Sequence, residues 1–208
     1  KIADKMKQKY IIGIDEVGRG PLAGPVTVAA IAATANFQKN FKVKLKDSKK
    51  LSPKQREKWF KFVKENKIPF AIANVWPKTI DKINISQAAN LAATRCIIKL
   101  TTNNQRLTIK NCKIFLDGGL YLNLQPTTNN QRQNKIKAKT IIRGDEKIPA
   151  IALASIVAKV HRDTLMKRLH KKYPQYGFDK HKGYGTKLHY KMLKKYGISE
   201  IHRKSFCK

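Results

Sequence analysis

Two apolar runs near the start of the chain flank a segment built from glycine and proline. Tyr10 to Ile14 is apolar and ends in Asp15-Glu16. Val17 to Pro25 then holds Gly18, Gly20, Gly24, Pro21 and Pro25, and Val26 to Ala32 is apolar again, with β-branched residues at alternate positions. Short apolar runs bounded by Gly and Pro read as buried strands joined by a tight loop. Any fold for this chain must therefore place the carboxylates of Asp15 and Glu16 where a strand gives way to a loop.

The same punctuation continues downstream. Ser52-Pro53 opens a helix, with Ser as cap and Pro at the first helical position. Ile68 to Val75 predicts a strand, Ser86 to Leu100 a helix, and Lys113 to Leu116 a strand ending in Asp117. Lys137 to Ile142 predicts a further strand running into Gly144-Asp145. Pro149 to Lys172 reads as a long helix, apolar through Val160 and then basic, and Thr186 caps a last helix that stops at Gly197. Strands alternating with helices predict an α/β or α+β class with a mixed sheet. At 41% hydrophobic, the 208 residues hold enough apolar surface for a real core, and no break in composition marks a second domain. The hexapeptide TTNNQR occurs at Thr101–Arg106 and at Thr127–Arg132; both copies read as polar loop insertions.

The formal net charge is +32. Such an excess attracts polyanions, which puts nucleic acid first among partners and an anionic membrane surface second. The longest apolar stretch, Val26 to Ala35, is about half of the ~20 residues that span a bilayer, so no transmembrane helix is expected. The last helix is basic but too poor in apolar residues to insert into a membrane surface. Cys96, Cys112 and Cys207 lie far apart, without zinc or disulfide spacing, which points to a reducing, cytoplasmic compartment.

With only 13 acidic residues, their placement is informative. Asp15-Glu16, Asp117 and Asp145 each follow a predicted apolar strand. If those strands are neighbours, their ends crowd carboxylates together, a costly arrangement unless hard divalent cations neutralise it. Two such ions about 4 Å apart can activate a water and stabilise the leaving oxygen in phosphodiester cleavage. A single Asp at a strand end more often only caps a turn. The loop GRGPLAG allows close backbone approach to phosphate or sugar oxygens. In HKGYGT, Tyr184 stands between Gly183 and Gly185, leaving its ring accessible for stacking on a sugar or base, or else partly buried in a loop. Lys49, Lys50, Lys180, Lys182 and Lys187 are candidate phosphate contacts. His161, His170, His181, His189 and His202 show neither HExxH pairing nor triad spacing and read as solvated or phosphate-facing.

Taken together these blocks resemble bacterial ribonuclease HII. The resemblance is carried by GIDEVGRGPLAGPV (Gly13–Val26), DSKKLS (Asp47–Ser52), FLDG (Phe115–Gly118), GDEKIPAIALASIVAKVHRD (Gly144–Asp163), YPQYGFDKHKGYGT (Tyr173–Thr186) and IHRKSF (Ile201–Phe206). It implies a ribonuclease H-like mixed sheet flanked by helices, about residues 1–165, with a helical substrate-binding part over about 166–208. It implies a monomer that cleaves the RNA strand of RNA–DNA hybrids and nicks duplex DNA at single embedded ribonucleotides, leaving 3′-hydroxyl and 5′-phosphate ends, in ribonucleotide and primer removal. The four metal-binding acids fall on Asp15, Glu16, Asp117 and Asp145, holding two ions of Mn2+ or Mg2+. The glycine-arginine-glycine motif falls on Gly18, Arg19 and Gly20, and the junction-sensing tyrosine on Tyr184. Asp163 matches a family position and is expected to support its helix rather than bind metal. The Asp117–Asp145 spacing is long for the family, the second TTNNQR copy accounting for the excess, and Gly119-Leu120-Tyr121 departs from the usual loop. The related ribonuclease HIII has a different residue where Arg19 stands. No clamp-binding motif marks the C-terminus. A nucleic-acid-binding protein without catalysis is the competing reading, and the presence of all four acids speaks against it.

Overall fold

The computed structural model describes residues 10–34, 37, 45, 48–104, 107, 112–123 and 138–207. In chain order its elements are β1 (Tyr10–Val17), β2 (Val26–Ala33), α1 (Pro53–Glu65), β3 (Phe70–Val75), α2 (Pro77–Ile83), α3 (Ile85–Thr102), β4 (Cys112–Asp117), β5 (Ala138–Ile141), α4 (Gly144–Lys147), α5 (Pro149–Lys172), α6 (Phe178–His181) and α7 (Lys187–Tyr196). The strands form one sheet in the order β3-β2-β1-β4-β5. β1 is antiparallel to β2, and β2 to β3, whereas β1–β4 and β4–β5 are parallel. The sheet is mixed, as expected.

Both faces of the sheet are covered, which is why every residue of β2 is buried. On one face α3 packs Ala92, Ala93 and Ile97 against Ile12, Ile14, Val28 and Leu116. On the other, Trp59 and Val63 of α1 and Leu153, Ile156 and Val157 of α5 cover Ala29 and Ile31. A smaller cluster of Met166, Leu169, Tyr176, Phe178 and Ile201 closes around Ala23 and fastens the helical C-terminal part to the loop between β1 and β2. Its α5 members sit beyond the turns that cover the sheet, so one 24-residue helix serves both cores. No helix among the described residues is long and apolar enough to cross a membrane.

Local signals placed most elements. The Ser52 hydroxyl accepts the Gln55 N–H (3.3 Å) and the Gln55 side chain accepts the Ser52 N–H (2.8 Å), a capping box in front of Pro53. α5 spans the predicted Pro149–Lys172. The differences have local causes. α2 is seven residues long and buries only Pro77 and Ile80, too little to show as a periodicity. Asn84, at φ 66°, separates it from α3 and caps α3 by accepting the Gln87 N–H (3.0 Å). The first TTNNQR copy is not all loop, because Thr101 and Thr102 finish α3, with the Thr101 hydroxyl donating to the Ile97 carbonyl (2.9 Å). The second copy lies outside the described residues. β5 is a partly exposed edge strand rather than a buried apolar one, and it ends at Ile141. Asp145 is therefore not a strand end. It sits in the first turn of α4, after Arg143 has turned the chain through a left-handed conformation (φ 55°).

The sheet and α5 meet at a point that tolerates no side chain. A Cβ on Gly13 would lie 2.1 Å from the Ala150 carbonyl carbon and 2.3 Å from the Ile151 nitrogen. Gly13→Ala must push α5 off β1, an overpacking expected to cost about 3 kcal/mol or more. Gly20→Ala, whose new methyl meets nothing nearer than 3.9 Å, should shift stability by less than about 1 kcal/mol. Urea unfolding of both variants checks the contrast.

Candidate active site

The parallel pairing of β1 with β4 sets Ile14 opposite Leu116. The next residue on each strand is an acid, so Asp15 stands beside Asp117, the last residue of β4. The expected strand end at Asp15-Glu16 is corrected, because β1 runs on to Val17 through its pairing with β2 and both acids lie within the strand. Asp15 is only 4% exposed. It accepts the Glu16 N–H at 2.7 Å and the hydroxyl of Ser155 from α5. The Ser155 hydroxyl also lies 2.8 Å from the Ser48 hydroxyl. Burial, then the charges of Glu16 and Asp117, hold the Asp15 carboxyl well above the usual carboxylate range. Burial also raises Glu16, although Arg19 works against it. Glu16 Oε1 takes the Arg19 guanidinium at 3.3 Å, and its buried Oε2 has no hydrogen-bond partner.

Asp117 Oδ1 accepts the Gly144 N–H at 2.6 Å, and a Cβ on Gly144 would stand 3.2 Å from that oxygen and 2.6 Å from Ile151. This bond brings the start of α4, and with it Asp145, to the end of β4. Asp117 and Asp145 line one open cavity of about 630 Å³ together with Gly118, Gly119, Lys50 and Glu146. The structure thus couples Asp15, Glu16 and Asp117 electrostatically and puts Asp145 beside Asp117. Among the described residues no three His, Cys, Asp or Glu side chains close to the spacing of a single ion site. Asp117 is turned to Gly144 and Glu16 to Arg19. The donor set nevertheless fits hard divalent cations: carboxylate oxygens, one of them buried without a partner, whose mutual repulsion and desolvation a cation would relieve.

Two buried arginines build the glycine loop. Arg203 donates to the carbonyls of Gly24 (3.0 Å), Arg19 (2.8 Å) and Gly18 (2.6 Å). Arg162 of α5 donates to those of Pro25 (3.0 Å), Ala23 (3.2 Å) and Lys182 (3.0 Å). Both are fully buried, and burial lowers their pKa values to about 9 and about 10, leaving them charged at neutral pH. Gly18, at φ 89°, is the residue against which Arg162 lies, since a Cβ there would meet Nε at 2.3 Å. While the loop carbonyls are consumed, the N–H groups of Arg19 and Gly20 have no acceptor among the described residues. Arg19 bridges outward from Glu16 to the Ser86 hydroxyl (3.1 Å) and faces Gly119.

The Tyr184 loop is stitched to the same segment. Leu22 N–H donates to Gly183 O (2.8 Å), and Gly183, at φ 87°, presses on the Ala23 carbonyl. Gly20 faces the Tyr184 ring, its absent Cβ lying 3.9 Å from Cε1. Tyr184 is 41% exposed, so Gly18, Arg19, Gly20 and an open tyrosine ring meet beside the acids.

The candidate lysines divide. Lys50 lines the acid cavity, 3.6 Å from Glu146. Lys180 and Lys187 are exposed on α6 and at the start of α7. Lys182 donates to the Asp179 carbonyl and lines a different cavity, of about 250 Å³, with Arg56, Asp163 and Lys167. The Lys49 side chain lies outside the described residues. Asp163 pairs with Lys159 at 2.8 Å along α5, a helix-supporting contact. The histidine expectation is corrected at three positions: His181, His189 and His202 are buried, bonded to backbone and to one another. Arg162, Arg203 and Ser155 carried no individual signal, because arginine and serine are mostly surface residues and only tertiary packing buries them.

The family model described as ribonuclease HII matches residues 12–208. A ribonuclease HII of Bacillus mycoides (strain KBAB4) is 41% identical over 210 residues, covering all of this chain and 74% of that protein. A structure of the PCNA:RNase HII complex from Archaeoglobus fulgidus matches with TM-score 0.66 and 26% identity over 94% of each chain. A Bst-RNase HIII structure in complex with Mn2+ matches with TM-score 0.68 over 98% of this chain and 69% of its own, at 16% identity, which shows a shared fold.

A carboxyl whose folded pKa lies above its unfolded value stabilises the fold only at low pH, and that contribution is lost as pH rises through the folded pKa. Asp15→Asn keeps an acceptor oxygen without the charge. In the absence of divalent ions it should raise Tm at pH 7 by about 2–4 °C, the equivalent of about 1 kcal/mol at this size. The gain should shrink toward pH 4 and on adding Mn2+ to the unsubstituted protein. Thermal unfolding across pH measures both.

Proposed function

Because the chain belongs to the ribonuclease HII family and is a ribonuclease H, we propose that it is a divalent-metal-dependent endonuclease acting on two substrates. It hydrolyses the RNA strand of RNA–DNA hybrids, and it nicks duplex DNA on the 5′ side of a single embedded ribonucleotide, leaving 3′-hydroxyl and 5′-phosphate ends. These reactions suit ribonucleotide removal from DNA and RNA primer removal. The observation that carries this reading is the placement of Asp15 and Asp117 side by side on adjacent parallel strands, bordered by the glycine loop and Tyr184. Asp15, Glu16, Asp117 and Asp145 would hold the ions, two of Mn2+ or Mg2+, whose chemistry when bound is to lower the pKa of water and to neutralise charge at the leaving oxygen.

The remaining residues position the substrate. Open amides of Arg19 and Gly20 suit the 2′-hydroxyl, which both donates and accepts and is the sugar's only mark of RNA. The Tyr184 ring suits stacking on the following sugar, where a second 2′-hydroxyl would clash, so that an RNA-to-DNA junction is favoured. Lys50 at the acid cavity and exposed Lys180 and Lys187 suit the phosphate backbone, with Lys49 and Lys182 as further contacts in the same blocks. On this reading residues up to about 165 form the catalytic part and those beyond it the substrate-binding part.

Asp15→Asn and Asp117→Asn should each lower kcat on a hybrid on the order of 100-fold or more, with hybrid binding unchanged or tighter, because phosphate repulsion is relieved. Near-normal turnover of either variant at saturating Mg2+ would remove the assignment. Tyr184→Ala should lower kcat/KM on a single embedded ribonucleotide about tenfold more than on a long hybrid, the scale of a lost stacking contact. Tyr184→Phe then separates the ring from its hydroxyl, and an unchanged ratio in Tyr184→Ala would return the discrimination to the glycine loop.

A further inference from the structure

His181, His189 and His202 are buried in the C-terminal part, and none borders the acid cavity. Their partners determine where each proton sits. His189 Nδ1 lies 2.9 Å from the Tyr184 carbonyl, which can only accept, so Nδ1 carries the proton and Nε2 is left as an acceptor. His202 Nδ1 receives the Ser199 N–H at 2.9 Å, so its proton is on Nε2, 3.0 Å from His189 Nε2. His202 therefore donates to His189, and His189 to Tyr184. His181 Nε2 donates to the Tyr176 carbonyl (2.7 Å), and its Nδ1 receives the Gly183 N–H (3.2 Å). The rings of His181 and His189 stack at 4.4 Å between centroids. Burial lowers the pKa of all three; Lys182 and His170 reinforce it at His181, where only Asp179 and the bond to Tyr176 oppose it, and the neighbouring histidines reinforce it at His189 and His202, so all three are neutral.

This chain of bonds ends on the residues that face the glycine loop. Gly183 gives its N–H to His181 and its carbonyl to Leu22. Tyr184 gives its carbonyl to His189 and its N–H to the His181 carbonyl. The backbone of Gly183-Tyr184 is therefore held between the histidines on one side and the glycine loop on the other. His202 also pairs with Ala23 of that loop through the backbone. Two neutral imidazoles, His202 and His189, thus form a directed chain that ends at the Tyr184 carbonyl, and His181, stacked on His189, holds the Gly183 N–H, an arrangement that packing alone does not require.

We propose that His181, His189 and His202 are positioning residues that fix the Tyr184 ring over Gly20, and so set the preference for a single embedded ribonucleotide over a long hybrid. The proposal rests on the role given to Tyr184 above. The test uses substitutions that keep one nitrogen's function at a time. His189→Asn places an amide N–H near Nδ1 and keeps the bond to Tyr184. His189→Gln places an amide oxygen near Nε2 and loses that bond. His202→Asn keeps the acceptor for Ser199 and loses the donor to His189. Each is measured in the full chain by amide hydrogen exchange over residues 183–186 and by the ratio of kcat/KM on the two substrates.

His189→Gln should speed exchange over 183–186 and lower the ratio roughly three- to tenfold, the worth of one hydrogen bond. His189→Asn should restore most of both, and His202→Asn should fall between. In a Tyr184→Ala background the histidine substitutions should leave the ratio where Tyr184→Ala alone puts it. If Tyr184→Ala lowers the ratio while His189→Gln and His202→Asn speed exchange without moving it, the histidines only stabilise the fold and the proposal is overturned. If Tyr184→Ala does not move the ratio at all, the role of Tyr184 itself fails, and the proposal with it.

Discussion

Everything in this molecule is arranged around one parallel strand pair, β1 with β4, that sets a buried carboxylate, Asp15, beside a second, Asp117, at the edge of an open cavity. Like charges in that position oppose folding unless something holds the strands there. Gly13 does so by letting the backbone of α5 lie directly on β1, and Gly144 does so by letting the start of α4 reach Asp117. The same helix α5 supplies Ser155 to Asp15 and, further along, Arg162 to the glycine loop. A local electrostatic penalty is thus maintained by packing whose strength comes from apolar burial elsewhere.

A chain of net charge +32 could easily have neutralised these acids, and it does so sparingly. Arg19 reaches Glu16, whereas Arg162 and Arg203 spend their guanidinium groups on backbone carbonyls, and Lys50 pairs with Glu146. Positive charge is therefore used to shape the loop next to the acids, while burial leaves Asp15 and Glu16 with raised proton affinity. Separating the two roles lets a hard cation compete for the carboxylates, and it leaves the loop amides of Arg19 and Gly20 turned to neither.

What was legible in the sequence was what local rules decide. The strand that carries Asp15, the strand that ends in Asp117, the Ser52 capping box and the whole of α5 follow from apolar runs, caps and prolines within a few residues, whereas the extension of β1 to Val17 depends on its pairing with β2. Asp145 was found for the right neighbourhood and the wrong reason: it reaches Asp117 through a left-handed turn at Arg143 and a one-turn helix, not at the end of a buried strand. Arg162, Arg203, His189 and His202 were illegible as individual residues. Their burial depends on partners up to 185 positions away, such as Gly18 for Arg203, and a basic or imidazole side chain in a basic stretch looks solvated until that partner is in place. The resemblance to a family covered the blocks that contain them without saying what they touch.

The most direct measurement is to map the cut and its ends on duplex DNA carrying one ribonucleotide, with Mg2+ or Mn2+ and again with EDTA. If Asp15, Glu16, Asp117 and Asp145 hold cations beside a loop that reads the 2′-hydroxyl, as proposed, the product is a metal-dependent nick on the 5′ side of the ribonucleotide, with a 3′-hydroxyl and a 5′-phosphate. A nick on the 3′ side leaving a 2′,3′-cyclic phosphate, or equal nicking in EDTA, would contradict it, because the 2′-hydroxyl would then be the nucleophile and the four acids bystanders.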